Sequence, residues 1–221
     1  MKERVILCDF DGTITDNDNI IAIMKEFGPP GWEKVKDDVL AERCTVQEGV
    51  GNMFALLETS KREEITQFAI KHATIRAGFQ DLVTYVKEQG WKFYVVSGGI
   101  DFFVYPVLEP FKGIDGIYCN GSDFSGEFIK ILWPHACDES CVGGCGCCKP
   151  KILRQFDPDH YERIVIGDSI TDLKVAKLAD HVFARDFLAK KCEELELQHV
   201  PFHTFYDVID ALKQEAAVNQ N

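Results

Sequence analysis

Four short runs of apolar, β-branched or aromatic residues punctuate the chain: RVILC at 4–8, KFYVV at 92–96, RIVIG at 163–167 and HVFA at 181–184. Each is followed by a turn and then by apolar positions spaced three and four apart. A run that is apolar on both faces predicts a strand inside a parallel sheet covered by helices on either side. The spacing between the runs predicts helices near 79–89, 150–156, 171–179 and 206–216. In GFQDLVTYVKEQG, for instance, Leu82, Val83 and Val86 share a face and Gly90 ends the helix. Strand followed by helix, repeated, gives an α/β fold: a doubly wound, Rossmann-like parallel sheet.

Two stretches break this rhythm. Residues 16–75 hold no convincing strand but several helical patterns, NIIAIMKEF, WEKVKDDVLAE and VQEGVGNMFALLE, with GPPG between the first two. They are expected to form a helical cap inserted after the first strand, leaving 1–15 and 76–221 as the core domain. The second is YCNGSDFSGEFIKILWP at 118–134, whose Asn-Gly and Ser-Gly turns between alternating segments predict a β-hairpin. The tail EAAVNQN is expected to fray.

Composition narrows the partners. The 221 residues include 36 acidic against 24 basic, a formal charge of −12, which repels nucleic acid and anionic lipid. A run of 18 or more apolar residues is missing, and MKERVILCDFDGT opens with charges and a strand pattern where a secretory signal would be apolar. The expectations are a cytoplasmic protein, a monomer or homodimer, with no nucleic acid and no membrane as partner. Nine cysteines in a reducing compartment then point to thiols or metal ligands rather than a disulfide framework.

Candidate chemistry collects at strand ends. In DFDGT, Asp9 and Asp11 stand two apart on an extended backbone, so both carboxylates can face one site, and Gly12 permits a tight turn away. Two anions so close repel each other, and a phosphate adds roughly 4 kcal/mol per charge pair at contact in a partly screened site. A divalent cation resolves the conflict. The strand ending in VIGDSITD supplies Asp168, with Asp172 four residues on; a few hard oxygen ligands with room for water suit Mg²⁺ better than Zn²⁺. VVSGG offers the Ser97 hydroxyl, and Gly98 and Gly99 allow backbone N–H groups to approach an anion. Lys149, followed by Pro150 at a helix start, brings an ammonium group. Singly, each feature is commonplace in turns and helix caps; their conjunction on one sheet edge carries the weight.

DFDGT, VVSGG, the lysine of CCKP and GDSITD, in that order, resemble the four-motif set of the haloacid dehalogenase-like phosphohydrolases. The insert after the first motif resembles the cap of their phosphoserine phosphatase branch. The resemblance implies that Asp9 attacks phosphorus to form an aspartyl phosphate, and that Asp11 protonates the leaving oxygen and later deprotonates water. It implies Mg²⁺ on Asp9, the Asp11 carbonyl and Asp168. Ser97, the Gly98 amide and Lys149 are implied to bind the phosphoryl group, with Asp172 outside the ligands or paired to the lysine. The partner implied is a small-molecule phosphate ester. Phosphoserine enzymes of this branch read the amino-acid end with an acid after motif one, matched here by Asp18, and a cap arginine, absent from VQEGVGNMFALLE. Met53 and Phe54 stand there instead and suit an apolar or sulfur-bearing tail, although their helical spacing equally fits cap core. Along its whole length the chain resembles the family's methionine-salvage phosphatases. Rivals to a phosphatase are a phosphomutase on the same fold and a receiver-like phospho-acceptor.

CDESCVGGCGCCKP, at 137–150, crowds Cys137, Cys141, Cys145, Cys147 and Cys148 before Lys149. Its spacing does not match a paired C-x₂-C framework, yet these thiols and His135 lie close enough in sequence to wrap one ion. A structural zinc or iron–sulfur site, reduced thiols in an ordered loop, and a disulfide are the alternatives.

Overall fold

A computed structural model of the protein describes residues 2–218. The first apolar run forms β1 (Glu3–Cys8), buried at every position after Glu3. Four helices follow: α1 (Asn19–Phe27), α2 (Trp32–Leu40), α3 (Val46–Phe54) and α4 (Arg62–His72). Then come α5 (Phe79–Glu88), β2 (Lys92–Ile100), α6 (Asp101–Leu108), β3 (Gly116–Asp123) and β4 (Lys130–Leu132). The last part runs α7 (Lys149–Leu153), β5 (Tyr161–Gly167), α8 (Ile170–Ala176), β6 (His181–Ala184), α9 (Asp186–Glu194), β7 (Val200–Pro201) and α10 (Phe205–Val218). Of the tail EAAVNQN, expected to fray, 215–218 continue α10 instead, and the remainder lies outside the described residues.

The strands make one sheet in the order β4-β3-β2-β1-β5-β6-β7. All its pairings are parallel except β3 with β4. Chain order reverses at β1, which lies between β2 and β5, and in such sheets the crevice at the reversal is the binding position. Register sharpens this. Cys8 pairs with Val95 on one side and Ile166 on the other, so the end of β1 lies level with the end of β5 and with the middle of β2, which runs on to Ile100.

Alternation along β1 feeds two cores. Ile6 and Cys8 join the larger, built on phenylalanines from α5, α6, β2 and α10; Val5 and Leu7 join a smaller one with Ile152, Leu153, Val165 and Val175. In the larger core Phe79 packs edge-on to Phe93 and Phe111 and tilted against Phe205, with centroids 5.0–6.0 Å apart.

Helices α1–α4 leave and rejoin the sheet through a narrow neck. Thr15 and Ile75 form an antiparallel bridge, Asp16 N–H donates to the Thr74 carbonyl, and Arg76 N–H donates to the Ile14 carbonyl, both at 2.8 Å. The buried guanidinium of Arg76 closes this neck. It donates to the carbonyls of Thr13 (2.7 Å) and Gly12 (2.9 Å) and pairs with Asp16 at 2.8 Å. The same group reaches the His203 carbonyl at 3.2 Å, so one side chain ties the first strand's turn to the approach to α10.

The pattern did not predict α6 or α9. DFFVYPVL buries Phe102, Phe103, Val104, Val107 and Leu108, so α6 is apolar nearly all round and shows no polar stripe to mark its period. The hairpin at 118–134 is present, with Gly121 opposite Leu132, but its first arm also pairs in parallel with β2 and so extends the main sheet.

Removing the Phe79 ring leaves a cavity at the centre of the larger core. Phe79→Ala should lower unfolding free energy by about 3–5 kcal/mol in urea titrations; a loss below about 1 kcal/mol would show the ring to be peripheral.

Candidate active site

Asp9 stands just past β1, its N–H bonded to the Ile166 carbonyl of β5 at 2.9 Å. The backbone then turns through Gly12, where φ is +79° and a Cβ would fall on the Asp168 carboxylate. Glycine here serves both the left-handed turn and the close approach of β5's acid. Asp168 lies one residue past β5 and accepts a hydrogen bond from Thr13 Oγ1 at 2.7 Å, locking the two strand ends together. Carboxylate oxygens of Asp9, Asp168 and Asp172 all lie within 4.8 Å of one another.

Lys149 opens α7, its charge almost wholly buried. Its Nζ is 2.6 Å from Asp9 Oδ1 and 2.6 Å from Asp172 Oδ1. The other oxygen of Asp172 accepts from the backbone N–H groups of Ser169 (3.1 Å) and Asp168 (3.2 Å), folding the acid back over the start of α8. Asp172 is therefore committed to the lysine and the turn, whereas Asp9 and Asp168 face the shared space with an oxygen outside these contacts.

Asp11 is held from the other side. Its Oδ1 accepts from both the N–H (2.9 Å) and the Nδ2 (2.7 Å) of the buried Asn19, at the first position of α1. A Cβ built on Gly99 would come within 3.1 Å of Asp11 Oδ2 and 3.0 Å of Ser97 Oγ, so these two groups share one corner. Gly99 N–H donates to Ser97 Oγ at 2.8 Å, and the Gly98 carbonyl accepts from Asn120 Nδ2 at 2.8 Å. A Cβ on Gly98 would meet open space, which leaves that stretch of backbone accessible to a ligand.

Burial and crowding set the protonation. Asp9 is raised to about 7, first by burial and then by Asp172, against the pull of Lys149. Asp168 is raised to about 9 by burial, Asp9 and Asp172, and Asp11 to about 8 by burial and the charge of Asp18. For Lys149 burial works against the charge, but Asp172 and Asp9 outweigh it and raise its pKa. Hard oxygens packed at a spacing that penalises their own ionisation, at a sheet edge, fit a small divalent cation such as Mg²⁺.

The family model of the haloacid dehalogenase-like hydrolases matches residues 6–177. The chain belongs to that family. Relatives named 2-hydroxy-3-keto-5-methylthiopentenyl-1-phosphate phosphatase include one from Geobacillus kaustophilus (strain HTA426), 63% identical over 96% of this chain and 97% of its own. Another, from Brevibacillus brevis (strain 47 / JCM 6285 / NBRC 100599), is 56% identical over 96% of each chain. Among solved structures, the phospho-aspartyl intermediate analogue of phosphoserine phosphatase superposes with TM-score 0.71 at 21% identity, over 97% of this chain and 99% of that one. A probable phosphoserine phosphatase from Vibrio cholerae, unliganded, gives 0.76 at 19% identity, over 99% and 67%. These two share the fold of this hydrolase.

The structure thus brings Asp9, Asp11, Ser97, Gly98, Lys149, Asp168 and Asp172 to one edge of the sheet. Other sequence candidates fall elsewhere. Phe54 has no exposed surface and packs against Phe102 and Phe103, and Met53 is 4% exposed in the same core, so both are packing residues in this conformation. Asp18 caps α1, accepting from Ile21 N–H at 3.0 Å, while its charge bears on Asp11. Cys147 turns away from the other thiols into the smaller core and donates to the Tyr118 carbonyl. Sequence reasoning missed Thr13, Asn19, Arg76 and Asn120, all buried polar residues. Thr13 and Asn19 lie within DFDGTITDNDN, where density of polar residues after a buried strand was the available signal; nothing local marks Arg76 or Asn120.

Raised carboxyls mean that the metal-free fold holds protons the unfolded chain releases. Their contribution to stability is fully present below the ordinary carboxyl range and is lost as pH rises through about 7 for Asp9 and about 9 for Asp168. Mg²⁺ held by these oxygens would compete with those protons, so a rise in Tm on adding Mg²⁺ should be larger near pH 9 than near pH 6. A shift independent of pH would exclude Asp9 and Asp168 as ligands.

Proposed function

We propose that this hydrolase is a Mg²⁺-dependent phosphatase whose substrate is 2-hydroxy-3-keto-5-methylthiopentenyl-1-phosphate, released as phosphate and 1,2-dihydroxy-3-keto-5-methylthiopentene in methionine salvage. The carrying observation is the contrast between Asp9 and Asp11. They stand two residues apart, yet one is paired to an ammonium and the other to an amide. Lys149 at 2.6 Å favours the ionised form of Asp9, as a nucleophile needs. Asp11 is pushed up to about 8 with Oδ1 held by Asn19, which leaves Oδ2, beside Ser97, to exchange a proton.

In this reading Asp9 attacks phosphorus and the bond to the ester oxygen breaks. Asp11 gives its proton to the departing oxygen, then takes one from the water that attacks the aspartyl phosphate, and Asp9 is regenerated. Ser97 Oγ, the Gly98 amide and the Lys149 ammonium bind the phosphoryl oxygens. Asp9, the Asp11 carbonyl and Asp168 would hold Mg²⁺, which when bound offsets negative charge on the phosphoryl group. Asp172 keeps Lys149 charged and aimed. Asp9 is 5% exposed and Ser97 wholly buried, so substrate access requires movement of the covering structure. Helices α1–α4, joined through the two-stranded neck at Thr15 and Ile75, are the part we assign as a mobile cap.

Support for the substrate comes from relatives up to 63% identical that bear this name. Phosphoserine is the less favoured ester, because α3 carries no arginine to meet a substrate carboxylate. Mg²⁺-dependent phosphate release should be fastest with the methylthio enol-phosphate in a panel that includes phosphoserine and sugar phosphates; a preference for phosphoserine overturns the assignment. Asp9→Asn should abolish turnover with the circular dichroism unchanged. Multiple turnovers with free phosphate as product separate a phosphatase from a phosphomutase or a receiver-like phospho-acceptor, which would give an isomer or one stoichiometric burst.

A further inference from the structure

The segment between β4 and α7, residues 133–148, has no helix or strand of its own. Loops of that length are uncommon in a compact domain unless something organises them. Trp133 and Cys147 pack on the core at the two ends, but no residue over 134–145 is buried and Val142 at the tip is 98% exposed, so burial does not order that stretch. What the segment does bring together is sulfur. One Sγ each from Cys137, Cys141, Cys145 and Cys148 lies within 4.8 Å of the other three, and Cys141 and Cys145 are 3.7 Å apart.

We infer that these four cysteines bind one Zn²⁺ as a tetrathiolate structural site, distinct from the carboxylate cluster. With Zn–S bonds of about 2.3 Å, a tetrahedral ion separates its sulfurs by about 3.8 Å, close to the Cys141–Cys145 distance. A four-iron cluster holds its thiolates farther apart, around the corners of a cube. Four soft donors in a closed set match zinc and leave no open position for catalysis. The backbone is bent to suit. Gly143, Gly144 and Gly146 all have φ between +72° and +99°, which lets the chain curl so that thiols three and four residues apart point inward.

The surroundings answer the charge of such a site. Lys174 Nζ lies 3.7 Å from Cys145 Sγ, and Lys151 Nζ bonds the Ala136 carbonyl at 2.9 Å beside Cys137. Arg154 forms a bidentate pair with Asp138 at 2.6 and 2.8 Å, fixing the loop to α7. The site also has two mechanical connections. Cys148 immediately precedes Lys149, so the ion would anchor the first turn of α7. On the other side the Gly144 carbonyl accepts from Gln47 N–H at 3.0 Å, at the start of α3. A zinc clamp would thus join the lysine of the active site to the helical insert.

Protein purified without added zinc and dialysed against excess Mg²⁺ should retain one zinc per chain by elemental analysis. The Cys141→Ser/Cys145→Ser double variant should lose it, and Cys44→Ser should keep it. Refilling stripped protein with Co²⁺ should give the thiolate-to-metal charge-transfer and red d–d bands of tetrahedral sulfur coordination. Removing the metal should raise protease cleavage within 137–148 in the intact chain. Sub-stoichiometric zinc that equimolar addition does not restore, with the thiols freely titratable, overturns the inference. So does iron or a disulfide in place of zinc. If the double variant fails to fold, the wild-type zinc count and the Co²⁺ spectrum still decide. None of these measurements depends on the phosphatase reading, so the two stand or fall separately.

Discussion

Lys149 Nζ makes two contacts of 2.6 Å, to Asp9 and to Asp172, inside a region from which water is largely excluded. An ammonium group so placed would be costly alone, and so would either carboxylate; each is tolerable because the others are there. Asp168, a third carboxyl at the same edge, is drawn down by the lysine's charge without touching it, and burial, Asp9 and Asp172 outweigh that pull, so it is the acid pushed furthest toward its neutral form. The centre is thus short of positive charge as it stands. That imbalance is what a divalent cation relieves, and it explains why the most crowded acids of a −12 protein sit where an anionic substrate would have to bind.

Much of the surrounding architecture keeps this charge cluster in register. Register sets Cys8 beside Val95 of β2 and Ile166 of β5, so Asp9, Ser97 and Asp168 follow close together at the same level of the sheet. Thr13 and Gly12 close the turn after β1 against the end of β5, one by a hydrogen bond and the other by having no side chain to obstruct the approach. Arg76 then spends its donors on the carbonyls of the same turn. Because its N–H also belongs to the neck leading back from α4, the residue connects the turn carrying Asp11 with any movement of helices α1–α4. Asn19 makes a comparable link, reaching from the first helix of the insert to Asp11.

Two adjacent carboxylates acquire different characters through this arrangement. Asp9 faces Lys149, while Asp11 faces an amide and feels the charge of Asp18. Sequence alone presents them as equivalents in a DxD pair; the division of labour follows from partners that come from residues 19 and 149. The cysteine loop shows the same effect in a different chemistry. Five cysteines are equivalent candidates in the sequence, and the fold separates Cys147, which turns into an apolar core, from the four whose sulfurs converge.

The sheet, its helices and the chemistry-bearing strand ends were legible in the sequence because they depend on local periodicity. Buried strands read as continuous apolar runs, amphipathic helices show their stripe, and acids and glycines gather where strands stop. Helix α6 was hidden because burial on nearly every side erases that stripe. Met53 and Phe54 were ambiguous for a related reason: an apolar helix position looks alike whether it faces a ligand or, as found for Phe54, two phenylalanines of another helix. Arg76, Asn120 and the choice among the cysteines were decided by tertiary structure, since their contacts join residues roughly 20 to 130 positions apart or depend on which way a loop curls. Sequence determined which groups are available at the edge of the sheet. Only the fold decided which charges meet, because Coulomb and hydrogen-bond energies depend on distances that the chain order does not contain.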